Sequence, residues 1–79
     1  MSRANWKDRI VSDPEIHHGE PCIRGTRIPV RIIVGSLADG DPATRLIEQY
    51  PQLTLEDVAA ALAYAAEMLH QESLLPLAS

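Results

Sequence analysis

Within residues 17–22 the chain places two adjacent histidines, His17 and His18, and its only cysteine, Cys22. These are the residue types of a zinc site or a thiol–imidazole nucleophile pair. Neither pattern is complete. Adjacent histidines with one cysteine four positions on lack the usual structural zinc spacing, and no fourth ligand is evident. A lone cysteine beside Pro21 reads more simply as a small packing residue in a polar loop. Gly19 and Gly25 are separated by a proline, and no Lys-Ser/Thr pair follows, so a phosphate loop does not fit either. The acidic pairs Glu56-Asp57 and Asp39/Asp41 fall where helix termini want acids. A chain of 8.7 kDa leaves little volume for a pocket that excludes water. The expectation is a non-enzymatic protein without metal or cofactor. The chemistry that remains is recognition by arginine: Arg24 and Arg27 in GEPCIRGTRIPV, with Arg31 and Arg45 further along. Guanidinium groups suit phosphates and carboxylates alike.

Seventy-nine residues make one small domain, of a size that often relies on a second chain for stability. One cysteine rules out an internal disulfide, and no leader or membrane-length apolar run is visible, so a cytoplasmic protein is expected. The net charge of −4 is uneven. Residues 1–34 hold six basic and four acidic side chains; residues 35–79 hold Arg45 against seven acids. A nucleic-acid surface could come only from the first half, because phosphate neutralisation supplies most of such affinity. The acidic second half suits a basic protein partner.

The elements that must position these residues follow from periodicity. Residues 1–8 read as a flexible N-terminus in which Trp6 could anchor on the domain or a partner. RIVSD (9–13) reads as a short strand ended by Ser12-Asp13-Pro14. CIRGTRI (22–28) reads as a tight turn, Gly25 taking positive φ and Ile23 and Ile28 anchoring it. Val30, Ile33, Val34 and Leu37 form one face of a helix opened by Pro29 and stopped by Gly40. Asp41-Pro42 would then be N-cap and N1 of a second helix, with Ala43, Leu46, Ile47 and Tyr50 inward. Thr54 caps the third, with Asp57 at N3 and a Leu53/Val58 staple. Its core face is expected to be Leu55, Val58, Ala59 and Leu62. The single domain spans 9–70, and 71–79 form a C-terminal tail. Pattern alone gives a mainly α fold: a three-helix, helix-turn-helix (homeodomain-like) bundle preceded by a short β hairpin.

The strings DPEIHHGEPCIRGTRIPV, LADGDPATRLIEQYP and LTLEDVAAALAYAAE resemble domain-of-unknown-function family 433 over about residues 9–68. That resemblance implies a small antitoxin of the VapB type. Its implied function is to neutralise a PIN-like ribonuclease toxin encoded nearby, with autoregulation of the operon through DNA as an added role.

Two readings of the arginines stand side by side. In a DNA reader, helix 3 would present Leu55, Glu56 and Asp57 to the groove, a poor match to phosphates. Contact would fall to Arg24, Arg27, Arg31 and Arg45, in a stand-alone transcriptional regulator. In a protein binder, Arg24 or Arg27 could face the metal-binding carboxylates of a nuclease. Each arginine could instead pair with Asp13, Glu15 or Glu20. A homodimer is expected through a second stripe of helix 3 (Ala61, Tyr64, Ala65, Met68), with Leu74 and Leu75 of the tail as further interface residues.

Overall fold

The computed structural model describes residues 5–71. Two strands, β1 (Ile10–Val11) and β2 (Cys22–Ile23), precede three helices, α1 (Val30–Ala38), α2 (Ala43–Gln49) and α3 (Leu55–Gln71). The chain is therefore mainly helical, with one short antiparallel hairpin. Short 3-10 turns occupy Trp6–Asp8 and His17–Gly19. No helix among the described residues is long and apolar enough to cross a membrane.

β2 is the centre of the small sheet. On one edge Ile10 pairs with Ile23 and Val11 with Cys22. On the other, Cys22 bridges Pro29, and the Val30 N–H donates to the Pro21 carbonyl at 2.9 Å. That bond occupies an amide that α1 would otherwise leave unpaired at its first turn. Ile10, Ile23, Ile28, Val30, Ile33, Leu46, Leu53 and Val58 then merge into one core, which joins the sheet to all three helices.

Helix ends follow the expected chemistry with one correction. Gly40, at φ 97°, ends α1 in a Schellman motif. Its own N–H reaches the Leu37 carbonyl at 3.0 Å, and that of Asp41 reaches Ser36 at 3.0 Å. Asp41 is thus the close of α1 and not the cap of α2: Pro42 occupies the N-cap, without a side-chain bond. At α3 the capping box is complete. The Asp57 N–H donates to Thr54 Oγ1 (3.1 Å) and the Thr54 N–H to Asp57 Oδ2 (3.0 Å). Leu53 and Val58, the staple pair, are both buried.

The rotation of α3 corrects the expectation. Leu55, Ala59 and Leu62, assigned to the core, lie on its outer face. Ala61, assigned to an interface, is completely buried in the chain's own core together with Ala60 and Val58. Tyr64 packs against that core and meets Trp6 edge-to-face, with centroids 4.8 Å apart. Ala65 and Met68 are half-buried, and Leu74 and Leu75 lie outside the described residues. The cause is Asp57. Its second oxygen accepts from Arg9 Nη1 at 3.0 Å, which pulls the carboxylate inward and carries Ala60, Ala61 and Tyr64, at i+3, i+4 and i+7, with it. Packing of Trp6 on Tyr64 also brings the segment ahead of residue 9 against α3.

Removing the Thr54 cap alone (Thr54→Ala) should cost about 1 kcal/mol in urea unfolding. Asp57→Ala should cost about 2–3 kcal/mol, because it leaves both the Thr54 amide and the Arg9 guanidinium without a partner. The partly exposed arginine keeps that figure moderate. Asp57→Asn, which retains an accepting oxygen, should fall between the two. A cost for Asp57→Ala below that of Thr54→Ala would remove Arg9–Asp57 as the determinant of α3 orientation.

Candidate functional site

The arginine-bearing turn runs from Ile23 to Ile28. The Thr26 N–H donates to the Ile23 carbonyl at 3.0 Å, and Gly25 sits at the third position with φ 79°, the pattern of a type II turn. The ring is closed below by Ile23 N–H to the Ile28 carbonyl at 3.0 Å. Thr26 braces it from inside. Its hydroxyl donates to the Ile23 carbonyl (2.8 Å) and accepts from the Ile28 N–H (3.0 Å).

Three outside hydrogen bonds fix the turn to the loop and the N-terminal segment. His17 Nε2 donates to the Arg27 carbonyl at 3.0 Å. The backbone N–H of Arg24 donates to the Arg9 carbonyl at 2.7 Å, and its Nε to the Asp8 carbonyl at 3.0 Å. To bring its ring there, the loop takes left-handed backbone at both His17 (φ 50°) and His18 (φ 57°). Positive φ is uncommon outside glycine, though histidine is among the residues enriched there. The Ser12 hydroxyl donates to the Gly19 carbonyl and ties the far end of the same loop.

The four expected arginines do not form one surface. Arg24 and Arg27 are exposed on the turn and border an open groove of about 820 Å³. Val11, Asp13, Pro14, Ile16 and Gln52 complete its walls. Arg31 pairs with Glu20, one of the acids foreseen as a partner. Arg45 is exposed on α2 and does not line the groove. Among the described residues the ion pairs are Arg9–Asp57 and Arg31–Glu20, so Arg24 and Arg27 make none, although Asp13 borders the same groove.

The metal-like and nucleophile-like residues are drawn apart. Cys22 is buried and its thiol donates to the Glu20 carbonyl at 3.3 Å. Burial, helped by the negative charge of Glu20, raises its pKa above the ordinary thiol value. The His17 ring is turned to a carbonyl instead of to Cys22. Among the described residues no three His, Cys, Asp or Glu side chains converge on a point that could hold a metal ion. Arg9 is a structural side chain that the residue pattern did not single out, and His17, read there as a candidate ligand, braces the turn instead. Each acts across the fold, and neither lies in a local motif that would mark it.

The fold and this surface define a small helical domain whose hairpin displays two exposed arginines beside an open groove. Residues 10–65 match the model of the family described as "Protein of unknown function (DUF433)", and the chain belongs to that family. Uncharacterized protein y4eO of Sinorhizobium fredii (strain NBRC 101917 / NGR234) is 37% identical over 59 residues. The match covers 75% of this chain but 27% of that protein, so the chain spans about a quarter of its relative. A crystal structure of a DUF433 member protein from Anabaena variabilis superposes with a TM-score of 0.75 at 37% identity. It matches 82% of this chain and 64% of its own.

Two outcomes test the turn. A Cβ at residue 25 would meet nothing within 4 Å, so Gly25→Ala should be destabilising through backbone strain alone, by about 1–2 kcal/mol. A cost near zero would mean that Gly25 does not hold positive φ in solution. Cys22 should react with a thiol reagent at pH 8 far more slowly in the folded protein than in urea, since burial withholds it and disfavours the thiolate. Equal rates in both states would contradict its place in the core.

Proposed function

We propose that this protein is an antitoxin-like, non-enzymatic binding protein of the VapB type, which neutralises a PIN-like ribonuclease by occupying its catalytic groove. The observation that carries the reading is the arginine turn. Two exposed arginines that make no ion pair among the described residues are carried on a closed, internally hydrogen-bonded loop, where little backbone freedom remains to be lost on binding. A nuclease centre that gathers metal-binding carboxylates is the complementary surface, and guanidinium–carboxylate pairs are the strong, bidentate kind of charge-assisted hydrogen bond.

In this reading the three helices belong to the helix-turn-helix, homeodomain-like class, α2 and α3 forming the motif across the short link at 50–54. Autoregulation through DNA would be secondary. α3 carries no lysine or arginine, and the inward turn of Asp57 leaves Glu56 as the exposed acid of its first turn. Phosphate contacts would fall to Arg24, Arg27 and Arg45, few enough for a shallow salt dependence.

The test is co-expression with the protein encoded beside it. The neighbour should arrest growth alone, be rescued by this chain and co-purify with it. Arg24→Glu/Arg27→Glu should abolish rescue and weaken binding at least about a hundredfold, while Arg45→Ala changes neither. A neighbour that is harmless, or binding indifferent to the double variant, would overturn the proposal. A steep, salt-dependent mobility shift on the upstream DNA in the absence of any partner would favour a stand-alone transcriptional regulator instead.

A further inference from the structure

We infer that the outer face of α3 is a self-complementary seam that packs antiparallel against the same face of a second copy of this chain. With Asp57, Ala60, Ala61 and Tyr64 turned inward, the outward arc of the helix is Leu55, Ala59, Leu62 and Leu69, exposed, with Ala66 half-buried among them. Their spacing alternates four and three, the 3.5-residue average of a coiled-coil seam with leucine at d and alanine at a. The three leucines are 57%, 45% and 62% exposed. Both sides of α3 are therefore apolar, and a helix apolar all round belongs in an interior. Here one side has the chain's own core and the other has no cover among the described residues.

The ends of the seam say what covers it. Its flanking ionisable groups on α3 are Glu56 at the first turn and His70 at the last, one e position each. Antiparallel packing sets e beside e′, so Glu56 of each copy meets His70 of the other, an N–H donor facing a carboxylate twice over. It also opposes the two helix dipoles. Parallel packing would gather the acids at one end and the histidines at the other. The alanines at a let the axes approach at the close end of the usual 8–10 Å range. In the resulting register Leu62 packs on Ala66 and Ala59 on Leu69.

Sedimentation or light scattering at about 50 µM should give a dimer for the full chain. Leu62→Glu, which introduces a charge at an already exposed site, should weaken association at least about a hundredfold while leaving helical content and cooperative unfolding intact. Leu69→Lys, at the most exposed leucine, should act likewise and guards against a folding defect at residue 62. Mixed Ala59→Cys and Leu69→Cys variants should cross-link to each other on oxidation, and neither to itself. A monomeric wild type overturns the proposal, as does a dimer insensitive to both charged variants. Self-linking of each cysteine variant would overturn the antiparallel orientation. A monomer in which Leu62→Cys is shielded from a thiol reagent would assign the face to residues 72–79 of the same chain and likewise overturn the dimer.

Discussion

The Asp57 carboxylate is the point on which the rest of the structure turns. One oxygen accepts the Thr54 amide at the start of α3, and the other accepts Arg9, 48 positions away at the entry to β1. The first bond is local and makes the helix begin where it does. The second is long-range and decides which side of that helix faces the core. A buried carboxylate is tolerable because its acceptor sites meet an amide and a guanidinium. Once it is placed, Ala60, Ala61 and Tyr64 must follow inward, and Trp6 finds Tyr64. Arg9 is held at the same time, and its carbonyl receives the amide of Arg24. The orientation of α3 and the seating of the arginine turn thus share one residue.

That sharing gives the hairpin its mechanical character. A two-residue strand pair is marginal by itself in water. Here β2 is hydrogen-bonded along both edges, Ile23 is buried with the helices, and the Pro21 carbonyl accepts the Val30 amide at the first turn of α1. The twelve residues that concentrate glycine, proline, cysteine and arginine are mostly occupied in this construction. Gly25 reverses the chain, Pro21 and Pro29 flank the bridge, and Cys22 fills the core. Arg24 and Arg27 are the exception, exposed and outside the ion pairs of the described residues.

Charge divides along the same lines. Of the basic residues in the first half, Arg9 and Arg31 are paired within the fold, which reduces the basic footprint well below what composition suggests. What remains is a local, directed cationic feature rather than a field broad enough to track a phosphate backbone. Recognition of a compact acidic site is the use to which such a feature is suited.

Apart from the cap of α2, the elements that depend on neighbours in the chain are readable from residue order. Pro29 with the Val30–Leu37 period produces α1, Gly40 stops it, and Thr54 with Asp57 starts α3. Ile23, Gly25 and Ile28 make the turn, because caps, turns and helical periods act over a few residues. Family membership was legible for the same reason, in contiguous strings. Only the tertiary structure decided which face of α3 is inside. The leucines of α3 lie on one face and Val58, Ala60, Ala61 and Tyr64 on the other, so periodicity supplies two apolar faces and does not say which is inner. Arg9 chooses, from 48 residues away. Likewise Glu20 took Arg31 out of the candidate site and His17 clamped Arg27. Side-chain pairings between distant segments leave no spacing in the sequence to be read; they exist only once the core has brought the segments together.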